Sequence, residues 1–275
     1  MLTNTFRAIT IATRSVFKNW QSTLLIAIVY ASLLLILYSF VIVKEATLLQ
    51  VSITFAVAIA APLLFFILQT MIASTPTAAT AGSLLRRSLA NFWKLLLISL
   101  PLIAIAILVA YLLAKIQSRL SATVPDAAAQ LPRRIATAAT ARDRPRPIDW
   151  RGVALSTLRY LAFGLVLPLA AIHLWLTTAR EGLGAAVRKV KTLVLRSFLP
   201  QSVLIYIAGF LIFAVAPYLL LFRTTPTKHA WLEISLLVAR LAIVFALTLF
   251  GWLITVRALS LSSTEPANHT PHEVV

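Results

Sequence analysis

Two arginines lie in places where a charge is expensive. Arg159 follows Trp150 by nine residues and Arg240 follows Trp231 by the same nine, each where an apolar run begins or continues. If each tryptophan marks a membrane interface, each arginine sits about 13 Å deeper by helical rise, close to the middle of a bilayer. Insertion scales put an unrelieved guanidinium at that depth at about 2.5–3.5 kcal/mol. Relief is available, because helical side chains tilt toward the N-terminus and can carry the head group back to the interface. Arg240 also has Glu233 two turns earlier on the same face. The competing chemistry is an intramembrane anion or lipid-phosphate site, for which Arg240, Glu233 and Arg159 are the candidate residues.

Other chemistries find little to work with. The chain has no cysteine, which removes thiolate metal sites, disulfides and cysteine nucleophiles. Of the four histidines, His269 and His272 stand with Glu273 on a polar tail that offers no framework for a metal, and His229 is isolated. His173, beside Trp175 near the end of an apolar run, reads as an interfacial or interhelical hydrogen-bonding residue. Seven glycines form no phosphate-cradling loop, and no carboxylate pair falls inside an apolar run, as ion-driven transport usually requires. The expectation is a non-enzymatic chain with no catalytic, cofactor or metal residues.

The elements that must position these residues are six apolar stretches, roughly 23–43, 48–73, 95–114, 160–178, 202–222 and 232–256. Each has about the 20 residues needed to cross a ~30 Å hydrocarbon layer as a helix. With 60% hydrophobic and 12% charged residues and a mean hydropathy of +0.91, the 275-residue chain has too little polar surface for a soluble domain. The first apolar run is long enough to stay in the membrane as a signal anchor, so no cleavable leader is expected. A net charge of +17 would suggest nucleic acid in a soluble chain. Here the cations flank apolar runs, which fits positive-inside topology and anionic lipid head groups, and no aromatic-interleaved basic groove supports nucleic acid.

The chain reads as three copies of one unit, about 1–73, 82–178 and 183–257, each a basic amphipathic segment followed by two spans. Arg7, Arg14 and Lys18 share one side of the first segment, with Leu2, Phe6, Ile9, Val16, Phe17 and Trp20 opposite. In the second, Arg86, Arg87 and Lys94 oppose Leu84, Leu85, Leu89 and Phe92. In the third, Arg188, Lys189, Lys191 and Arg196 oppose Val187, Val190, Val194 and Phe198. Such helices should lie flat on the membrane, with Arg7, Arg14, Lys18, Arg86, Arg87, Arg188, Lys189 and Lys191 at lipid head groups. The predicted fold is therefore all-α and polytopic: six transmembrane helices as three hairpins, with basic interfacial helices.

Charges in the short loops predict cytoplasmic N- and C-termini. Alternation then puts the Arg- and Pro-rich loop 116–152 outside, against its charge, and leaves a polar tail over 262–275 beyond a membrane domain of 1–261.

Repeats of two spans with internal prolines invite comparison with mitochondrial carriers. Pro62-Leu-Leu, Pro101-Leu-Ile and Pro168-Leu-Ala lack the acid of that family's signature. By contrast, Leu84-Leu-Arg-Arg-Ser-Leu-Ala-Asn-Phe-Trp-Lys-Leu-Leu-Leu97 resembles the lead-in to a span in the six-helix bacterial integral-membrane domains that accompany some glycerophosphodiester phosphodiesterases, and in their stand-alone relatives. No phosphodiesterase domain follows, so the resemblance implies a membrane module without an activity of its own. The sequence thus points to an accessory subunit of a membrane complex or a lipid-associated scaffold in a bacterial inner membrane. Its partners would be anionic lipids and proteins of such a complex. The alternative is a transporter or lipid-translocating permease for an anionic substrate.

Overall fold

The structure is a computed structural model that describes residues 2–42, 47–75, 80–122, 150–223 and 229–262. Most of the 116–152 loop, the tail with His269 and His272, and Lys44 and Lys228 lie outside the described residues. Six helical stretches are long and apolar enough to cross a bilayer: Trp20–Ile42, Leu48–Ser74, Ala81–Arg119, Gly152–Glu181, Pro200–Phe222 and Trp231–Ser262. By helix length and composition the chain is a multi-pass membrane protein, and every secondary-structure element among the described residues is helical.

Helix α1 (Leu2–Lys18) leads through Asn19 into α2 (Trp20–Ile42). Thr47 opens α3 (Leu48–Ser74) with a capping box: its hydroxyl accepts from the Gln50 amide at 3.3 Å, and its own amide donates to Gln50 Oε1 at 2.9 Å. The basic lead-in of the second copy is no separate helix. It is the first part of α4 (Ala81–Ala122), a single run of 42 residues, about 63 Å long and twice what a hydrocarbon layer needs.

Span four consists of α5 (Trp150–Leu161), a π-helical turn over Ala162–Val166, and α6 (Leu167–Glu181). Then come α7 (Leu183–Arg188) and α8 (Val190–Ser197). Span five is α9 (Pro200–Phe210), a π turn over Leu211–Val215, and α10 (Ala216–Phe222). The last helix is α11 (Ala230–Ser262). Both π turns end two residues before a proline, Pro168 or Pro217. A proline in a helix lacks the N–H and crowds the carbonyl four residues back, here Gly164 or Phe213, and a locally wider turn relieves that crowding. Pro62 and Pro101 sit inside α3 and α4 without one.

Contacts divide the chain into two units, Met1–Leu100 with Leu169–Val275, and Pro101–Pro168. In the first, α11 is the hub on which α1, α3, α9 and α10 pack, while α2 packs on α3. Two glycines permit the closest approach. A Cβ on Gly209 would fall 1.9 Å from Thr255 Oγ1, and one on Gly251 would fall 2.8 Å from Phe213 Cβ. Small residues at a crossing let backbones meet where the apolar drive between helices is weak.

Polar pairs join the same helices. Trp252 Nε1 donates to Gln69 Oε1 at 3.1 Å, Trp175 Nε1 to Ser99 Oγ at 2.8 Å, and Tyr30 and Thr248 share a hydrogen bond of 2.9 Å. Buried Thr70, Ser88, Ser99, Thr178, Ser197 and Thr255 each donate to the carbonyl four residues back, so they sit inside the bundle without an orphaned hydroxyl.

The basic segments face the bundle differently from their helical wheels. α1 buries Thr5, Ala8, Ala12 and Val16 and leaves Phe6 and Phe17 more than 60% exposed. The start of α4 buries Leu84 and Ser88 and exposes Leu89. α7 and α8 bury Ala186, Leu193 and Ser197, while Val187 and, just after α8, Phe198 are exposed. In α1 and α7 the wheel weights large side chains, whereas the helix contact is made by small ones. The second unit comprises the later part of α4 with α5 and the first π turn, and exposes most of its large apolar residues, Ile107 and Tyr160 among them.

Candidate functional site

The predicted candidates do not converge. Arg240 donates from Nη1 to the main-chain carbonyl of Arg223, 2.6 Å away, at the end of α10. A neighbouring helix carbonyl is thus one relief that this arginine uses. Glu233 is exposed near the start of α11. Arg159 belongs to the second unit, where it is exposed at the wall of a cavity of about 590 Å³ between α4 and α5, with Gln117, Ser156, Tyr160 and Phe163. Arg7, Arg14, Lys18, Arg86, Arg87, Arg188, Lys189 and Lys191 are all exposed, as head-group contacts require.

A different cluster is brought together in the first unit. His173, Leu176, Thr177 and Arg180 lie on one face of α6 at spacings of three, four and seven. They wall a cavity of about 340 Å³ whose other side is Lys189, Thr192, Leu193 and Arg196 from α8 and the turn before it. Gly182 makes the enclosure possible. It takes φ +87°, a left-handed conformation that costs a side chain strain, and there the chain leaves α6 and turns into α7. Leu199, extended ahead of Pro200, then ends the short helices and starts span five.

Three cations face this cavity against one carboxylate. Lys189 Nζ is bonded to Glu181 at 2.6 Å, an exposed pair, and such pairs contribute little to stability. Arg180 donates from Nη2 to the Ser260 carbonyl at 3.1 Å, which ties the end of α6 to the end of α11. His173 is 3% exposed, and its Nε2 is buried with no hydrogen-bond partner among the described residues. That differs from the hydrogen-bonded role read from the sequence, since the neighbouring polar contact, to Ser99, is made by Trp175.

Next to Arg180 stands Arg257, close enough for the two charges to interact. Arg257 donates from Nε to Ser15 Oγ at 3.1 Å, and its Nη1 is buried with no partner among the described residues. The sequence does not signal Arg257, whose partner lies 242 residues away. The α6 face was readable, since His173 and Arg180 stand two helical turns apart. Among the described residues no group of three or more His, Cys, Asp or Glu could hold a metal. The arrangement can present several N–H donors and positive charge to an oxyanion.

Comparison with protein-family models, with curated proteins and with solved structures finds no match.

Proposed function

We propose that this chain is a non-enzymatic membrane module that holds anionic lipid along a basic face, as an accessory subunit of a membrane complex or a lipid-associated scaffold. One observation carries the reading. The segments that expose Arg7, Arg14, Lys18, Arg86, Arg87, Arg188 and Lys191 also expose Phe6, Phe17, Trp20, Leu89, Trp93, Val187 and Phe198. A helix that buries one stripe in the bundle and keeps both cations and large apolar groups exposed suits the boundary between head groups and acyl chains. Each cation near an anionic surface adds about 1 kcal/mol of attraction.

On this reading the basic segments lie on the cytoplasmic side of a bacterial inner membrane, with hairpins of spans between them. Kinship with the six-helix domains that accompany phosphodiesterases remains part of the proposal. A permease for an anionic substrate is the second reading, and it draws on the π turns before Pro168 and Pro217, because interrupted spans often border substrate paths.

The test is lipid retention. The full chain, extracted from membranes of equal phosphatidylglycerol and phosphatidylcholine content, should carry several-fold more of the former, counted by mass spectrometry. Replacing Arg7, Arg14 and Lys18 with Gln should cut that excess by about half. Equal retention of the two lipids would refute the reading.

A further inference from the structure

The 340 Å³ cavity between α6 and α8 is a more demanding object than a basic surface. A cation on an open helix face is satisfied by water and needs no ligand. His173 is enclosed: its Nε2 is cut off from solvent and meets no protein acceptor or donor among the described residues. A buried nitrogen left unpaired costs on the order of 1–3 kcal/mol, and a small turn of the ring, which lines the cavity, would bring it to a partner there.

The walls specify that partner. With Nε2 protonated, His173 is a donor; Arg180, Arg196 and Lys189 are donors only. The Thr177 and Thr192 hydroxyls already give their protons to the His173 and Lys189 carbonyls. The one carboxylate, Glu181, is engaged by Lys189. The cavity therefore wants an acceptor with several oxygens and negative charge, and it repels metal cations. Phosphate meets several donors at once, where a chloride or a lone carbonyl cannot. The volume holds a phosphate with a glycerol but no acyl chain. Leu176 and Leu193 form the apolar part of the wall, and exposed Leu195 and Phe198 on and just after α8 offer a path for chains outside it.

We infer that this cavity is a phosphate site that receives the head group of an anionic phospholipid, with Arg180 and Arg196 as charge partners and His173 Nε2 as the buried donor. The inference rests on the lipid-associated reading above and narrows it from a diffuse surface to one stoichiometric site. Arg257 does not line the cavity, but its charge interacts with that of Arg180.

Titration calorimetry on the delipidated full chain in neutral detergent tests it, with dihexanoyl phosphatidylglycerol and inorganic phosphate as probes. One molecule per chain should bind. Arg196→Gln, at an exposed position that leaves the fold intact, should weaken binding roughly tenfold, and so should His173→Gln. Arg223→Gln, an exposed cation outside the cavity, should change it less than about twofold. Tighter binding of the lipid than of inorganic phosphate assigns the head group as the source, and the reverse order assigns free phosphate to the same site.

Unchanged affinity in both Arg196→Gln and His173→Gln would overturn the inference. If the Arg7, Arg14 and Lys18 replacement then abolished binding, lipid association would stand without this site. Binding of neither probe to the wild-type chain would overturn it too, and the lipid-retention test would decide separately whether the broader reading survives.

Discussion

The two halves of α11 have nearly the same apolar composition and opposite surroundings. From Trp231 to Ile243 the helix exposes Trp231, Leu232, Ile234, Leu237, Val238, Leu241 and Ile243, each by close to half or more. From Leu249 to Ser260 it buries Leu249, Gly251, Leu253, Thr255, Val256, Ala258, Leu259 and Ser260. An arginine stands in each half. Arg240 spends its charge on a main-chain carbonyl near the end of α10, while Arg257 is held by Ser15 with one nitrogen sealed in. Depth along a span and enclosure within a bundle are therefore separate quantities. The first follows from counting residues from a tryptophan; the second depends on which small residues let other helices come close.

The sharpest way to break this contrast is at its tightest point. Gly209→Val would force a side chain into Thr255 and should prevent accumulation of folded protein, because overpacking at a helix crossing cannot be absorbed by rotating one side chain. Gly184→Val, where a Cβ meets nothing within 4 Å, should leave the yield of monodisperse protein in mild detergent nearly unchanged.

A smaller effect sharpens the comparison along one helix. Leu259→Ala, at a position with no exposed surface, should destabilise by about 2–4 kcal/mol through the cavity it leaves, and Leu241→Ala in the open half by less than about 1 kcal/mol. Unfolding titrations with a denaturing detergent measure both, and equal losses would mean that the two halves are not differently packed.

The smallest effect belongs to Arg240. Its carbonyl contact is exposed and contributes about 1 kcal/mol at most, so Arg240→Leu should shift stability by no more than that. A stabilisation of 2.5 kcal/mol or more would instead indicate an unrelieved charge at mid-membrane.

The six spans were legible because each apolar run is long enough by itself, and no tertiary contact is needed to read a run. Basic stripes were legible for the same reason. The facing of α1 was not, since Ala8 and Ala12 carry little weight on a helical wheel beside Phe6 and Phe17, although their smallness is what admits α11. The break expected between the basic segment 83–94 and span three is absent, because nothing in that stretch of the chain stops a helix. Ser15 with Arg257 and Gly209 with Thr255 are pairs that only the fold brings together. Among the candidate residues, the sequence drew attention to Arg240 through its distance from Trp231. Arg180 drew none, although the seven-residue step from His173 already put both on one face.

The π turn of span five also governs which way the rest of that span points. Gly209 and Pro217 are both buried, yet eight residues of uninterrupted α-helix overshoot two full turns by about 80°. One wider turn between them absorbs most of that overshoot and brings proline and glycine back into phase. A cysteine scan through span five should therefore lose its regular period at Leu211–Val215 and resume it with an offset. Deleting a single residue there would leave seven residues of ordinary helix, only about 20° short of two turns, and keep Pro217 on the side that Gly209 faces, whereas forcing the full-length segment into regular α-helix would rotate Pro217 away by about 80°.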